Sequence, residues 1–265
     1  MNWELELSCA RKAALEAGRI IRNYFGGEAF TVGSKGKQGP VTSADLEADA
    51  VVKSILGEAF PADAWLSEET ADNPTRLSCQ RVWIVDPLDG TKEFIKGIPE
   101  FAVAIALAQD GVPVVGVTYN PIKNELFWAA RGRGAFLGEQ PIHVTSTTDL
   151  GRAQLLISRS EEARGRWKPF ENLALLKATG SVAYKLALVA AGRGDATFSR
   201  SAKSEWDVAA GHVLLSEAGG LLSACDGSEL RFNQPAVRVA GIIASNRLLH
   251  AQLVTLANRP DLPAD

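Results

Sequence analysis

The chain has 265 residues, of which 46% are hydrophobic, and a net charge of −3 with acids and bases nearly balanced. That length supports one large domain or two modest ones around a sizeable core. There is no basic stripe for a nucleic-acid polymer, no apolar run long enough to cross a membrane and no leader-like segment after Met1, so a soluble, cytoplasmic protein is expected. Apolar Leu7, Ala10, Ala14, Ala17, Ile21 and Tyr24 recur at helical spacing and predict a helix over 4–25, ended by Gly26-Gly27. The Gly- and Lys-rich stretch 31–40 reads as a loop, with 35–39 as a candidate lid. A second helix is predicted from Ser43 to about Phe60. Short apolar runs at 82–85, 101–108, 112–119 and 125–130 predict strands, with Asp110-Gly111 as a hairpin turn and 131–134 as a tight connection.

Beyond 145–152 the pattern changes. A strand is predicted at 155–158, helices at 161–176, 182–192, 206–218 and 246–257, and strands near 196–198, 221–223 and 239–244. This alternation suggests an α/β layer. It divides the chain into 1–147, an α+β part, and 148–265, an α/β part, with a frayed end at 259–263. Cys9, Cys79 and Cys225 are scattered and odd in number, and His143, His212 and His250 lack zinc-ligand spacing. Neither a disulfide framework nor a zinc hydrolase is indicated. His212 sits in an apolar helical stretch and reads as a packed core histidine.

The segment Val82 to Phe94 is the most informative. Its apolar run ends in Asp86-Pro87-Leu88-Asp89-Gly90-Thr91, where Asp-Pro and Asp-Gly favour turns and Thr91 can open a helix. Two carboxylates leave a buried strand beside backbone N–H groups, an arrangement that can hold a hard cation next to a phosphate. Three other places supply acids: Asp45 at the start of the second helix, Glu68-Glu69 after Trp65-Leu66-Ser67, and Asp207 where a later helix begins. Singly, Asp45 and Asp207 can be helix N-terminal charges and Glu68-Glu69 a solvated pair. If the four converge, each pair about 4 Å apart repels by about 4 kcal/mol at an effective dielectric near 20. A protein stable by roughly 5–15 kcal/mol tolerates several such pairs only with divalent cations. The all-oxygen donor set points to Mg²⁺, or Mn²⁺ in its place.

These motifs, with Val41-Thr42, Trp206-Asp207-Val208-Ala209-Ala210-Gly211 and Glu217-Ala218-Gly219-Gly220, resemble in residues and order the inositol monophosphatase superfamily of Mg²⁺-dependent, lithium-sensitive phosphomonoesterases. The resemblance covers nearly the whole chain. It implies a layered α/β/α/β/α sugar-phosphatase fold, with an antiparallel N-terminal sheet, a C-terminal α/β part and the site between them. It further implies two or three Mg²⁺ held by Glu68, Asp86, Asp89, Asp207 and the Leu88 carbonyl. Thr91 and Asp45 would orient and deprotonate the attacking water, and the Gly90 and Thr91 N–H groups would hold the phosphate. Direct in-line attack without a phosphoenzyme follows, on a small phosphorylated metabolite, in a chain for which a homodimer is open.

Within the superfamily, Lys92-Glu93-Phe94 after Thr91, Ser158 in Ile157-Ser158-Arg159-Ser160, and Lys185 after Gly180-Ser181 resemble the 3′(2′),5′-bisphosphate nucleotidase branch. Inositol phosphatases commonly place a Glu a few residues before Trp-Asp to bind ring hydroxyls. Here 197–204 holds no acid, while Arg200 and Lys203 suit a second phosphate or are solvated surface charges. Glu161 stands where the nucleotidases usually carry His. The expected substrate is therefore 3′-phosphoadenosine 5′-phosphate, bound by Gly90, Thr91, Ser158, Gly180, Ser181, Lys185 and Arg200. The alternative is inositol 1-phosphate or a range of sugar phosphates. A non-catalytic phosphometabolite-binding protein is the remote one.

Overall fold

The computed structural model describes residues 3–27, 29–34, 36 and 39–259. Lys35 and Lys37 of the candidate lid lie outside the described residues, as do 260–263 of the expected frayed end. The chain opens with α1 (Glu4–Gly26), a short β1 (Val32–Ser34) and β2 (Pro40–Thr42) pair, and α2 (Ser43–Ala59). A seven-stranded sheet follows in chain order: β3 (Ala64–Ser67), β4 (Arg81–Asp89), β5 (Ala102–Gln109), β6 (Val112–Asn120), β7 (Glu125–Ala130), β8 (Ala135–Leu137) and β9 (Gln140–Ile142). Only the β3–β4 pairing is parallel. A five-residue helix, α3 (Thr91–Ile95), interrupts the run after β4.

Both faces of this sheet are buried, which is why its strands read as continuous apolar runs. Trp83 and Val85 of β4, with Val103, Ile105 and Leu107 of β5, pack against α1 and α2. Val82 and Ile84, with Ala102, Ala104 and Ala106, face the opposite way. In β5, alternation of period two thus puts large side chains on one face and alanines on the other. The shallow alanine face admits α5 (Val182–Ala190) and α6 (Glu205–Glu217).

The second half builds a five-stranded sheet from β10 (Gln154–Ser158), β11 (Leu175–Thr179), β12 (Ala196–Ser199), β14 (Leu221–Ser223) and β16 (Ile242–Ser245), in the order β11-β10-β12-β16-β14. A separate pair joins β13 (Lys203–Ser204) to β15 (Arg238–Val239). Between the sheets, α5 and α6 share one core with residues from both, and α7 (His250–Ala257) covers the outer face of the smaller sheet. The layers therefore run helix, sheet, helix, sheet, helix.

The predicted helix 161–176 does not form. Only α4 (Arg159–Glu162) is helical there, followed by a 3-10 turn at Lys168–Phe170 and then β11. Gly165 takes φ 74° and Pro169 follows, so a continuous helix cannot pass. The apolar residues that mimicked helical spacing, Trp167 and Phe170, instead pack on Phe198 from turns. The strand expected at 239–244 is broken at Gly241, where φ is 92°. Strand β4 runs past Val85 to Asp89, with an irregular register between Asp86 and Asp89, so both aspartates belong to the end of the strand. Asp110 and Gly111 make the expected hairpin turn, with φ 52° and 76°.

Candidate active site

Two helices aim their N-termini at the end of β4. At α2, Thr42 caps and Asp45 is the third helical residue: its Oδ2 accepts from the Thr42 N–H at 2.8 Å and from the Thr42 hydroxyl at 2.5 Å, closing a capping box. The other oxygen, Oδ1, accepts from the Thr91 hydroxyl at 2.9 Å. At α6, Ser204 caps and Asp207 closes the same box, accepting from the Ser204 N–H at 3.1 Å. Asp45 and Asp207 are both helix-start acids, and each carboxylate also reaches another candidate residue: Asp45 the Thr91 hydroxyl, Asp207 the Asp86 and Glu68 carboxylates.

Asp207, Asp86 and Glu68 converge, each offering one carboxylate oxygen within 4.8 Å of the others. At that spacing each ionised pair repels by roughly 3–4 kcal/mol at an effective dielectric near 20. The cost appears in the acidities. Burial, then the charges of Glu68, Asp89, Asp207 and Asp45, hold the Asp86 carboxyl well above its usual range. Burial, then Asp89 and Glu68, push Asp207 up to about 8. Asp86 Oδ1 accepts from the Leu88 N–H at 3.0 Å, while the buried Oδ2 has no hydrogen-bond partner among the described residues. An orphaned buried oxygen facing two further carboxylates fits a hard divalent cation, which would satisfy it and cancel the repulsion.

Asp89 is oriented differently. Its Oδ2 accepts from the Ser181 hydroxyl and the Ala183 N–H, both at 2.6 Å, so the start of α5 holds it. Ser181 also caps that helix, accepting from the Tyr184 N–H, and takes φ 57° to do so. The Gly180 N–H donates to Glu100 at 2.8 Å. A Cβ on Gly180 would lie 2.4 Å from Glu93 Cγ, so only glycine fits. Ser181 and Gly180, expected to bind substrate, are thus engaged within the protein and position Asp89 and Glu100.

These groups border one cleft of about 430 Å³ lined by Glu68, Asp89, Gly90, Thr91, Ser158, Gly180, Ser181, Lys185 and Asp207, among others. Arg200 is not among its described lining residues, whereas Lys203 is. Lys185 is buried and donates to the Ser181 and Thr179 carbonyls at 3.0 and 3.4 Å. Its pKa is lowered, chiefly by burial. Sequence reasoning missed Asp49, one turn after Asp45 on the same buried face of α2. It accepts from Ser67 at 2.5 Å and from Thr70 at 2.8 Å, and so fixes the segment that carries Glu68. A second acid at i+4 on an apolar face was the available signal. It also missed buried Arg76, which bridges Asp72, Asn233 and the Gln234 carbonyl. Asn233 and Gln234 in turn donate to Glu205, two residues before Asp207. His212 is half-buried on α6: burial depresses its pKa to about 4, and it meets Phe232 edge-on.

The profile of the inositol monophosphatase family matches residues 2–260, and the chain belongs to that family, whose members are phosphomonoester hydrolases that use divalent metal ions. It is 37% identical over 254 residues to the inositol-1-monophosphatase of Caulobacter vibrioides, covering 92% of this chain and 97% of that one. It is also 37% identical over 227 residues to the Nus factor SuhB of Escherichia coli, covering 82% and 84%. The solved inositol monophosphatase of Anabaena (Nostoc) sp. PCC 7120 superposes with a TM-score of 0.81 at 33% identity, covering 99% of each chain. Among the described residues no helix is long and apolar enough to cross a membrane.

Proposed function

We propose that the chain hydrolyses the phosphate monoesters of polyols, with inositol 1-phosphate as the leading substrate. The observation that carries this reading is the likeness to the Caulobacter inositol-1-monophosphatase across 92% of the chain. The nucleotide 3′-phosphoadenosine 5′-phosphate, favoured by Lys92-Glu93-Phe94, is placed second because no relative named above is a nucleotidase.

Glu68, Asp86 and Asp207, with Asp89 and the Leu88 carbonyl beside them, would hold Mg²⁺. Such an ion supplies the positive charge that an approaching nucleophile needs against a phosphate dianion, and acidifies water. The residues of the chain do the rest. Thr91 donates its one hydroxyl hydrogen to Asp45, so its oxygen can accept a hydrogen bond from the attacking water; as that water's proton passes to Thr91, the Thr91 proton would pass to Asp45. Thr42 holds Asp45 in the orientation that makes this relay. Gly90 and Thr91 line the cleft where the phosphate would lie, with Gly90 at φ 105° opening α3. The acid-supplying part up to residue 147 and the substrate-binding part from 148 correspond to the larger and smaller sheets, and we propose that functional division with Asp207 as its crossing point.

Phosphate release with Mg²⁺, comparing inositol 1-phosphate with 3′-phosphoadenosine 5′-phosphate at matched concentrations, tests the reading. A higher kcat/KM for inositol 1-phosphate is expected. A preference for the nucleotide reverses the order of the two substrates, and no turnover of either leaves a binding role.

A further inference from the structure

The stretch 197–204 holds no acid, yet the structure places one beside it. Glu161, in α4, is only 5% exposed and lines the cleft. Its Oε1 accepts from the Ser199 hydroxyl at 2.6 Å and lies 3.3 Å from Lys203 Nζ. Ser199 and Lys203 both belong to that acid-free stretch. A carboxylate carried by one element is therefore seated on a neighbouring one. Burial alone would raise its pKa, but Lys203, Ser199 and Lys185 together lower it, so the group is ionised. An ionised carboxylate only accepts hydrogen bonds. Oε2 makes no hydrogen bond among those found for Glu161, which leaves an acceptor in the wall of the cleft.

We propose that Glu161 is the specificity-determining carboxylate of this enzyme, accepting hydrogen bonds from hydroxyl groups of the alcohol that leaves from phosphate. This rests on the polyol reading above and deepens it. The chemistry discriminates between ligand classes. A polyol offers hydroxyl donors to the free oxygen. A second phosphate would bring like charge against it, and the two nearby lysines are already engaged, Lys203 by Glu161 and Lys185 by two carbonyls. A purely aromatic alcohol would leave the carboxylate unanswered. Lys203, which the sequence leaves open between a second phosphate and a solvated surface charge, instead fixes the acid, and Arg166 ties the same corner together through Ser201 at 2.7 Å.

The test compares wild type with Glu161→Gln on inositol 1-phosphate and on phenyl phosphate, whose leaving group has no further hydroxyl. Glutamine keeps an acceptor for Ser199 but loses the charge. The ratio of kcat/KM for inositol 1-phosphate over phenyl phosphate is expected to fall about tenfold or more, carried mainly by KM. Ser199→Ala, which leaves the Glu161–Lys203 pair in place, should shift the same ratio in the same direction by a smaller factor and guards against misfolding of the first variant. An equal loss on both esters means that Glu161 serves only as a structural ion pair, and overturns the proposal. A wild-type enzyme that prefers 3′-phosphoadenosine 5′-phosphate over inositol 1-phosphate instead overturns the polyol reading, whatever the variants do.

Discussion

The starts of α2 and α6 carry the same local device and put it to different uses. Thr42 with Asp45 and Ser204 with Asp207 are both capping boxes in which an aspartate closes back on the capping residue. At α2 the second carboxylate oxygen meets a hydroxyl, that of Thr91. At α6 the aspartate meets two other carboxylates, Asp86 and Glu68. On the proposed reading, one would be a proton acceptor and the other a cation ligand. Local sequence fixes the direction of each carboxylate, and what stands opposite fixes its chemistry.

Neutralising each aspartate in turn should break this symmetry. Asp207→Asn keeps an acceptor for the Ser204 N–H, so the helix start survives. Turnover should fall by more than about 10³-fold, because loss of a ligand exceeds the roughly 10–100-fold typical of groups behind the ligands. Near-normal kcat at saturating Mg²⁺ would remove Asp207 from the metal set. Asp45→Asn should lower kcat by about 10²–10³-fold, the range for a lost proton acceptor. Mg²⁺ affinity, followed by calorimetric titration, should stay within a few-fold. A collapse of Mg²⁺ binding would show that the two helix starts do the same job after all.

A third experiment uses pH to sharpen the contrast at α6. The Asp207 carboxyl, pushed up to about 8 in the metal-free protein by burial, Asp89 and Glu68, binds a proton more tightly folded than unfolded. Its contribution is present below the unfolded value near 4 and is lost as pH rises through about 8. Metal-free stability should therefore decline over that range, and Mg²⁺ should raise Tm more at pH 8 than at pH 5. An increment independent of pH would mean that the cluster does not compete with protons for the ion.

The smallest expected effect lies one turn along α2. Asp49→Ala frees Ser67 and Thr70 and loosens the segment bearing Glu68, so the Mg²⁺ concentration for half-maximal activity should rise about tenfold with little loss of maximal rate. An equal fall in rate at all Mg²⁺ concentrations would place Asp49 in general stability instead.

Four strands of the larger sheet, β4 to β7, were legible because both faces of the sheet are buried and these strands are apolar runs between turn residues, whereas the short β3, β8 and β9 were not predicted. The hairpin at Asp110-Gly111, the helix start at Ser43 and, within a residue, that of α6 (predicted from 206, observed from Glu205) were legible for local reasons of turn and cap chemistry. The stretch 161–176 was not, since Trp167 and Phe170 sit at helical spacing yet are held by Phe198 from a distant strand. The same limit applied to the site. Each acid stood in a recognisable local setting, but nothing in the spacing of Glu68, Asp86 and Asp207 could show that their oxygens approach within 4.8 Å.

By itself, then, the sequence determined the helix starts, the buried strands, the turn at the end of β4 and the resemblance that named a phosphatase family. These depend on neighbours within a few residues, where dihedral preferences, caps and apolar periodicity act directly. Tertiary structure alone decided that Asp89 is gripped by Ser181, that Asp49 braces Glu68, and that Glu161 supplies the acid missing from 197–204. Those outcomes depend on which side chains face each other once the two sheets pack on α5 and α6, and a buried charge takes its role from the partner that packing puts within reach.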